Sequence, residues 1–222
     1  MHFVFLIEDK SGQVLIEHIM NKLKARYQEE IITYDYKAFG GIGGFVKKKN
    51  PQQTKTNKLL TDLPIYLKGI NNSLKVMGNS AAIIIVLDND NRNVIQFREE
   101  LEQVSIGCQI SIDHVFCIAI EEMEAWLLGD CDALRRAYPE AREAALKGYQ
   151  QDSICGTWEV LGNVVYKGGL KKLKKDCPSY KEIGRLKSEW ADQIGQHMDL
   201  NNNLSPSFNT FIEALSSRIA IS

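Results

Sequence analysis

Three carboxylates, Glu8, Asp88 and Asp90, stand where apolar runs stop. Residues 3–8 (FVFLIE) are apolar up to Glu8, and residues 81–87 (AAIIIVL) are apolar up to the triplet Asp88-Asn89-Asp90. A buried strand that places an acid at its end holds that group on a rigid element, which suits metal binding or catalysis. Asp88 and Asp90 lie two apart, so an extended backbone points both side chains the same way. Carboxylates gathered from neighbouring strands crowd negative charge, which is tolerable when protons or cations neutralise it. A divalent cation answers that need. Oxygen-only ligands favour Mg2+ or Mn2+ over zinc, and Mg2+ combines one or two carboxylates with waters and substrate phosphates. The other reading of the D-x-D is a turn after a strand, with Asn89 and Asn91 as turn formers.

The elements that must position these acids follow from periodicity. After Glu8 the apolar residues Val14, Leu15, Ile19 and Leu23 recur at helical spacing, and Ser11 sits where an N-cap is useful. Residues 31–38 form a second candidate strand, Leu59, Leu60, Leu63, Leu67, Ile70 and Leu74 mark a helix, and residues 81–87 are the clearest buried strand. Residues 94–104 read as a helix, and residues 114–120 (HVFCIAI) as a further buried strand that again ends in acids, Glu121, Glu122 and Glu124. This alternation predicts an α/β fold: a mainly parallel sheet of about four strands with helices on both faces. Beyond Trp126 the pattern turns helical, and its last helix is signed by Ser205-Pro206 and the apolar face Phe208, Phe211, Ile212, Leu215 and Ile219. The expected division is an α/β core over residues 1–130 and a helical C-terminal extension over residues 131–222, packed on that core.

In parallel sheets, ligands gather outside the carboxyl ends of the strands. Three of the four expected strands deliver acids there. If residues 121–124 are helical, Glu121 and Glu124 share a face and either could close a metal site, although acids in a first helical turn are also favoured by the helix dipole. Trp126 reads as core, Asp130 as a cap of the next helix, and Ser205 and Ser207 as caps without a basic partner that would activate a nucleophile. None of His2, His18, His114 and His197 has metal-ligand spacing, which disfavours zinc. The run Gly40-Gly41-Ile42-Gly43-Gly44 lacks the phosphate-loop pattern and reads as a hinge.

Bulk composition narrows the setting. No apolar run approaches the roughly 18–20 residues that span a bilayer, and the N-terminus meets a carboxylate too early for a signal peptide, so a cytoplasmic protein is expected. Five cysteines without a C-x-x-C pair suggest reduced, packed thiols. The formal net charge of −1 excludes binding to nucleic acid through overall positive charge. Charge is nevertheless unevenly placed: six lysines and no acid lie between Asp35 and Asp62, and KGGLKKLKK at 167–175 adds five lysines, again without an acid. Such runs are either solvated faces or phosphate contacts. The stretch 40–56, rich in glycine and lysine, is long for a connection; it is expected to be mobile when unliganded and to guide a polyanion through Lys47, Lys48 and Lys49, with Lys10 beside Glu8 as a further contact.

The order strand-Glu8-x-x-x-Gly12, then strand-Asp88-x-Asp90, resembles the TOPRIM domain of topoisomerases, primases and related nucleases. Further along, Glu124-Ala-Trp126-Leu-Leu-Gly-Asp130 and Ser205-Pro-Ser207-Phe208 resemble a bacterial TOPRIM-like family, domain of unknown function 4276, often encoded beside ATPases in defence or mobile-element loci. The resemblance covers nearly the whole chain. It implies a TOPRIM/Rossmann-like core, Glu8 as general acid or base, and Asp88 with Asp90 as Mg2+ ligands. Many TOPRIM enzymes carry a third acid two residues after the D-x-D; here that residue is Arg92, which implies either reduced metal occupancy or a further ligand from Glu121, Glu122 or Glu124. The leading expectation is a Mg2+-dependent phosphodiester-cleaving enzyme acting on DNA or RNA. A noncatalytic subunit that binds a partner ATPase or nucleic acid, and phosphoryl transfer on a small nucleotide, are the competing ones.

Overall fold

The computed structural model describes residues 1–45 and 55–221, together with their side chains except those of Asn79 and Ile221. Four parallel strands, β1 (His2–Ile7), β2 (Thr33–Ala38), β3 (Ala81–Asp88) and β4 (Asp113–Ala119), form one sheet in the order β2-β1-β3-β4. The helices α1 (Lys10–Arg26), α2 (Leu59–Leu74) and α3 (Val94–Cys108) connect them. Both faces of the two inner strands are covered, which explains why β3 reads as an unbroken apolar run. Alternate residues divide between the faces. Phe3, Phe5 and Ile7 of β1, with Ala82, Ile84 and Val86 of β3, pack in one cluster with α1, whereas Leu6, Ile83, Ile85 and Leu87 pack with α2 and α3 in the other. The edge strand β2 (TYDYKA) is largely exposed and correspondingly polar; it begins at Thr33, because Ile31 is 83% exposed and outside the sheet.

The C-terminal half is helical: α4 (Glu124–Leu128), α5 (Cys131–Ala137), α6 (Thr157–Val165), α7 (Gly169–Asp176), α8 (Tyr180–Gly195) and α9 (Pro206–Ile221). Its apolar side chains join the cluster around α1. Helix α8 lies along α1, where His18 meets Asp192 at 2.9 Å and Lys22 Nζ donates to the Gln196 carbonyl at 2.7 Å. No helix among the described residues is long and apolar enough to cross a membrane.

Two short motifs fix how this half is attached and how α1 begins. Trp126, fully buried, donates its indole N–H to Ser207 Oγ at 2.8 Å and stacks on Phe211 with centroids 5.0 Å apart. Ser205 caps α9 by accepting from the Phe208 N–H, and Asp130 caps α5 through Ala133 while its other oxygen accepts from the Asp199 N–H at 2.8 Å. Gly129 has no room for a side chain: an added Cβ would lie 2.0 Å from Asn203 Oδ1. These residues latch α9 and the chain before it onto α4.

At the other motif, α1 starts earlier than its apolar spacing suggests. Asp9 is the N-cap, accepting from the Gly12 N–H at 2.9 Å, and Ser11 serves by donating its hydroxyl to Asp9. Gly12 lets this turn close on the sheet, since a Cβ there would lie 2.8 Å from both Ile7 Cγ2 and Met123 Cε.

Candidate functional site

Because the strands are parallel, β1, β3 and β4 deliver the chain segments after Ile7, Leu87 and Ala119 to the same edge of the sheet. Glu8 continues the ladder past the end of β1, its N–H donating to the Val86 carbonyl at 3.1 Å. Its side chain then crosses to β3, where Glu8 Oε2 accepts from the Asp88 N–H at 3.1 Å. Glu8 and Asp88 are therefore neighbours at the ends of β1 and β3.

Their electrostatics are strained in one direction. Burial pushes the Glu8 carboxyl up to about 7; the charges of Asp90 and Asp9 add to this, while the Asp88 N–H and Lys187 work against it. Asp88 is raised well above the carboxylate range, first by burial and then by Glu8 and Glu124, with Lys187 opposing. Asp88 Oδ1 is moreover buried without a hydrogen-bond partner. Such an orphaned oxygen costs about 1–3 kcal/mol, more if charged, unless a proton or cation reaches it.

Asp90 behaves differently from its expected role. The strand ends at Asp88, and Asp90 adopts a left-handed conformation (φ 49°), so the two aspartates do not project from one extended segment. Asn89 causes this turn. It is 1% exposed; its Oδ1 accepts from the Glu121 N–H at 2.5 Å and its Nδ2 donates to the Arg92 carbonyl at 2.6 Å, tying the ends of β3 and β4 together. Asp90 remains near enough to raise Glu8, but its carboxylate is paired with Arg92 at 2.6 Å. The guanidinium lies over the Phe97 ring, 5.0 Å from its centroid.

The three glutamates after β4 also separate. Glu121 has φ 58° and is not helical. It accepts from the N–H groups of Cys155, Gly156 and Thr157 and from the Thr157 hydroxyl, so it closes the start of α6. Burial raises its carboxyl, yet these hydrogen bonds outweigh burial and hold it below its usual range. Glu122 and Glu124 both meet Lys187 of α8, each at 3.1 Å. Glu122 is raised to about 7 by burial and by Glu124, with Lys187 and the Trp158 N–H opposing. Lys187 is held above its ordinary value because Glu124, Glu122 and Asp88 together overcome its burial.

Lys187 is the residue that pattern reading missed. A signal was present: Ile183, Lys187, Trp190 and Ile194 fall on one helical stripe, and a lysine inside an apolar stripe is either misplaced or paired.

Among the described residues, no group of three or more His, Cys, Asp or Glu side chains is arranged to hold a metal ion. Of the expected ligands, Asp90 and Glu124 already have protein cations, Arg92 and Lys187. Glu8 and Asp88 remain. Two carboxylates suit Mg2+, which needs only one or two alongside water and phosphate oxygens, and the unpartnered Asp88 Oδ1 offers it a ligand. The expected nucleic-acid contacts are less defined. Lys10 is exposed in the first turn of α1, and Lys47, Lys48 and Lys49 lie outside the described residues. The described flanks of that stretch are docked: Gly41 N–H donates to the Glu8 carbonyl at 3.0 Å, Phe45 meets Phe97 edge-on, and the buried Asp62 accepts from the N–H groups of Thr56 and Asn57.

The chain matches Domain of unknown function (DUF4276) over residues 7–216. It belongs to this family. No curated protein and no solved structure matches it. The match spans both the strand-end acids and the helices that carry Lys187 and the α9 latch, so these regions form one family unit.

Proposed function

We propose that the protein is a Mg2+-dependent phosphodiester-cleaving enzyme of the TOPRIM-like kind, cytoplasmic, acting on nucleic acid as the effector of a bacterial defence or mobile-element system. The observation that carries this reading is the buried, unpartnered Asp88 Oδ1 beside Glu8 at the carboxyl ends of parallel strands. Asp88 would hold Mg2+ or Mn2+, with Glu8 at its side. The bound ion would supply positive charge to the phosphoryl oxygens as charge builds on them. Glu8 would take the proton from the attacking water, and a carboxyl raised to about 7 is suited to proton transfer near neutral pH. Lys187 sits behind Asp88 and balances Glu122 and Glu124, which keeps these two further acids from competing for the same proton.

The test is cleavage of single- and double-stranded DNA and RNA with Mg2+ or Mn2+, comparing wild type with Asp88→Asn and Glu8→Gln. Metal-dependent cleavage lost in both variants is expected. A second reading, a noncatalytic subunit that binds a partner ATPase or nucleic acid, is favoured by the pairing of Asp90 with Arg92. Absence of cleavage together with an unchanged melting temperature in Mg2+ and Mn2+ would select it.

A further inference from the structure

The lysine run at 167–175 and the aromatic residues around it are used by nothing described so far. A cavity of about 390 Å3 opens between the start of α6, the end of α7 and the start of α8, within the size range of small-ligand sites, about 300–1,000 Å3. Trp158, Cys177 and Ile183 wall it, Lys174 and Tyr180 stand at its rim, and Lys187 reaches it from the carboxylate cluster. Glu122 also lines it, and the same carboxylate accepts from the Trp158 N–H at 3.1 Å and pairs with Lys187 at 3.1 Å. The cavity therefore shares two side chains with the carboxylate cluster beside Asp88.

Its tryptophan is placed unlike the other two in the chain. Trp126 and Trp190 are 0% and 2% exposed, whereas Trp158 is only partly buried and carries Lys174 Nζ 5.5 Å from its ring centroid. Tyr180 is 96% exposed at the first position of α8, where Ser179 and Glu182 already form the capping box and leave the tyrosine without a part in starting the helix. Beside it, α7 presents exposed Lys171, Lys172, Lys174 and Lys175. Lys172 and Lys174 find Asp176 and Glu159, while Lys167, Lys171 and Lys175 form no salt bridge among the described residues. Partly exposed aromatic faces beside a row of cations are the elements that hold single-stranded nucleic acid, the rings by stacking and the lysines by phosphate attraction. The lysines also answer a difficulty of the site: a cluster of carboxylates repels a polyanion, and positive charge nearby offsets that.

We propose that this cavity receives a nucleobase of the substrate, stacked on Trp158 with Tyr180 at its rim, while the lysine face of α7 takes the phosphates next to it. The inference rests on the phosphodiester reading and names the part of the substrate that the carboxylates leave untouched. A single-stranded or locally unpaired polynucleotide is the ligand, because a base inside a duplex cannot enter such a cavity.

Tryptophan emission reads the proposal directly, since the other two tryptophans are buried. Wild type is titrated, in EDTA so that nothing is cleaved, with a short single-stranded oligonucleotide, with the abasic oligonucleotide of equal length, and with a nucleoside monophosphate. The base-bearing strand should quench emission and bind about tenfold or more tighter than the abasic strand. Trp158→Leu should erase that difference, Trp158→Phe should keep most of it, and unchanged melting of both variants confirms their folding. Lys171→Ala/Lys175→Ala should lower the salt slope by about 0.7 per lysine. Equal affinity for the two strands, a Trp158→Leu variant that binds as wild type, or no binding of any oligonucleotide would overturn the base pocket. A nucleoside monophosphate that binds as tightly as the strand, with no effect of the lysine variant, would overturn the role of α7. Quenching and binding without cleavage in Mg2+ or Mn2+ would sink the catalytic reading and leave the pocket standing; cleavage lost in Asp88→Asn but untouched in Trp158→Leu would do the reverse.

Discussion

Two carboxylate pairs lie at the same edge of the sheet and solve the same problem differently. Glu122 and Glu124 are buried around Lys187, an ammonium that the fold itself provides from α8. Glu8 and Asp88, at the ends of the neighbouring strands β1 and β3, share only a backbone N–H, and one oxygen of Asp88 has no partner. Burying charge without compensation is costly, so the first pair belongs to the folded protein as it stands, while the second is complete only with a proton or an added cation. On the proposed function, the contrast separates acids that hold the structure together from acids that are held ready for a ligand.

The largest effect should come from removing the built-in cation. Lys187→Met leaves Glu122 and Glu124 facing each other in a buried site, and breaking such a pair typically costs about 3–5 kcal/mol. Urea unfolding of the variant would measure it. A loss below about 1 kcal/mol would mean that water or a proton already compensates these acids and that the contrast is not real. Combining Lys187→Met with Glu122→Gln and Glu124→Gln should recover most of the loss, because the uncompensated charges are then gone.

The next effect has the opposite sign. Asp88→Asn removes a buried carboxyl that burial forces to carry a proton beside Glu8, so without metal the variant should be more stable than wild type, by about 0.5–2 kcal/mol, and on the proposed function it should lose cleavage and any rise of melting temperature in Mg2+. A less stable variant that still responds to Mg2+ would place the cation elsewhere.

Acidity sharpens the same contrast. Glu8 and Glu122 are raised from 4.5 to about 7 in the folded state, so each binds its proton more tightly folded than unfolded. Their contribution to stability is therefore fully present below about 4.5 and is lost as pH rises through 7. Metal-free protein should show melting temperatures that fall over that window. Saturating Mg2+ should flatten the part due to Glu8, as should Glu8→Gln, and leave the part due to Glu122. An unchanged profile in Glu8→Gln would show that the Glu8 carboxyl titrates in its ordinary range.

How much of this was legible in the sequence depends on what each residue answers to. The strands β1, β3 and β4 were readable because a strand buried on both faces leaves a continuous apolar run, and Glu8 and Asp88 were readable because they interrupt such runs. The start of β2 was misjudged, since apolar Ile31 lies outside the sheet and the edge strand itself is polar. The turn at Asp90 was open as the second reading of the D-x-D, with Asn89 as a turn former; what was hidden is how Asn89 holds it, by reaching across to Glu121, a contact between segments far apart in sequence. The same is true of Lys187: its helix was expected, but its position behind Asp88 follows from α8 packing along α1. Glu121 was expected near a metal or in a first helical turn, and instead it caps a different helix, α6.

The smallest stability effect bears most directly on the missing third acid. Arg92 and Asp90 are paired at 2.6 Å, with side chains 31% and 45% exposed, and pairs of that exposure contribute only about 0–1 kcal/mol. Arg92→Ala should therefore melt within a degree or two of wild type once its contact with Phe97 is allowed for. Its consequence should appear in metal binding instead. Freed from the guanidinium, Asp90 carries an uncompensated charge close enough to Glu8 to raise its carboxyl, and a third acid beside Glu8 and Asp88 should strengthen Mg2+ and Mn2+ binding severalfold. Calorimetric titration of wild type, Arg92→Ala and Arg92→Ala/Asp90→Asn would follow this. Tighter binding in the single variant that reverts in the double one would identify Arg92 as the residue that tempers the site. Identical affinities in all three would show that Asp90 takes no part in holding the ion, and would leave the readiness of this edge to Glu8 and Asp88 alone.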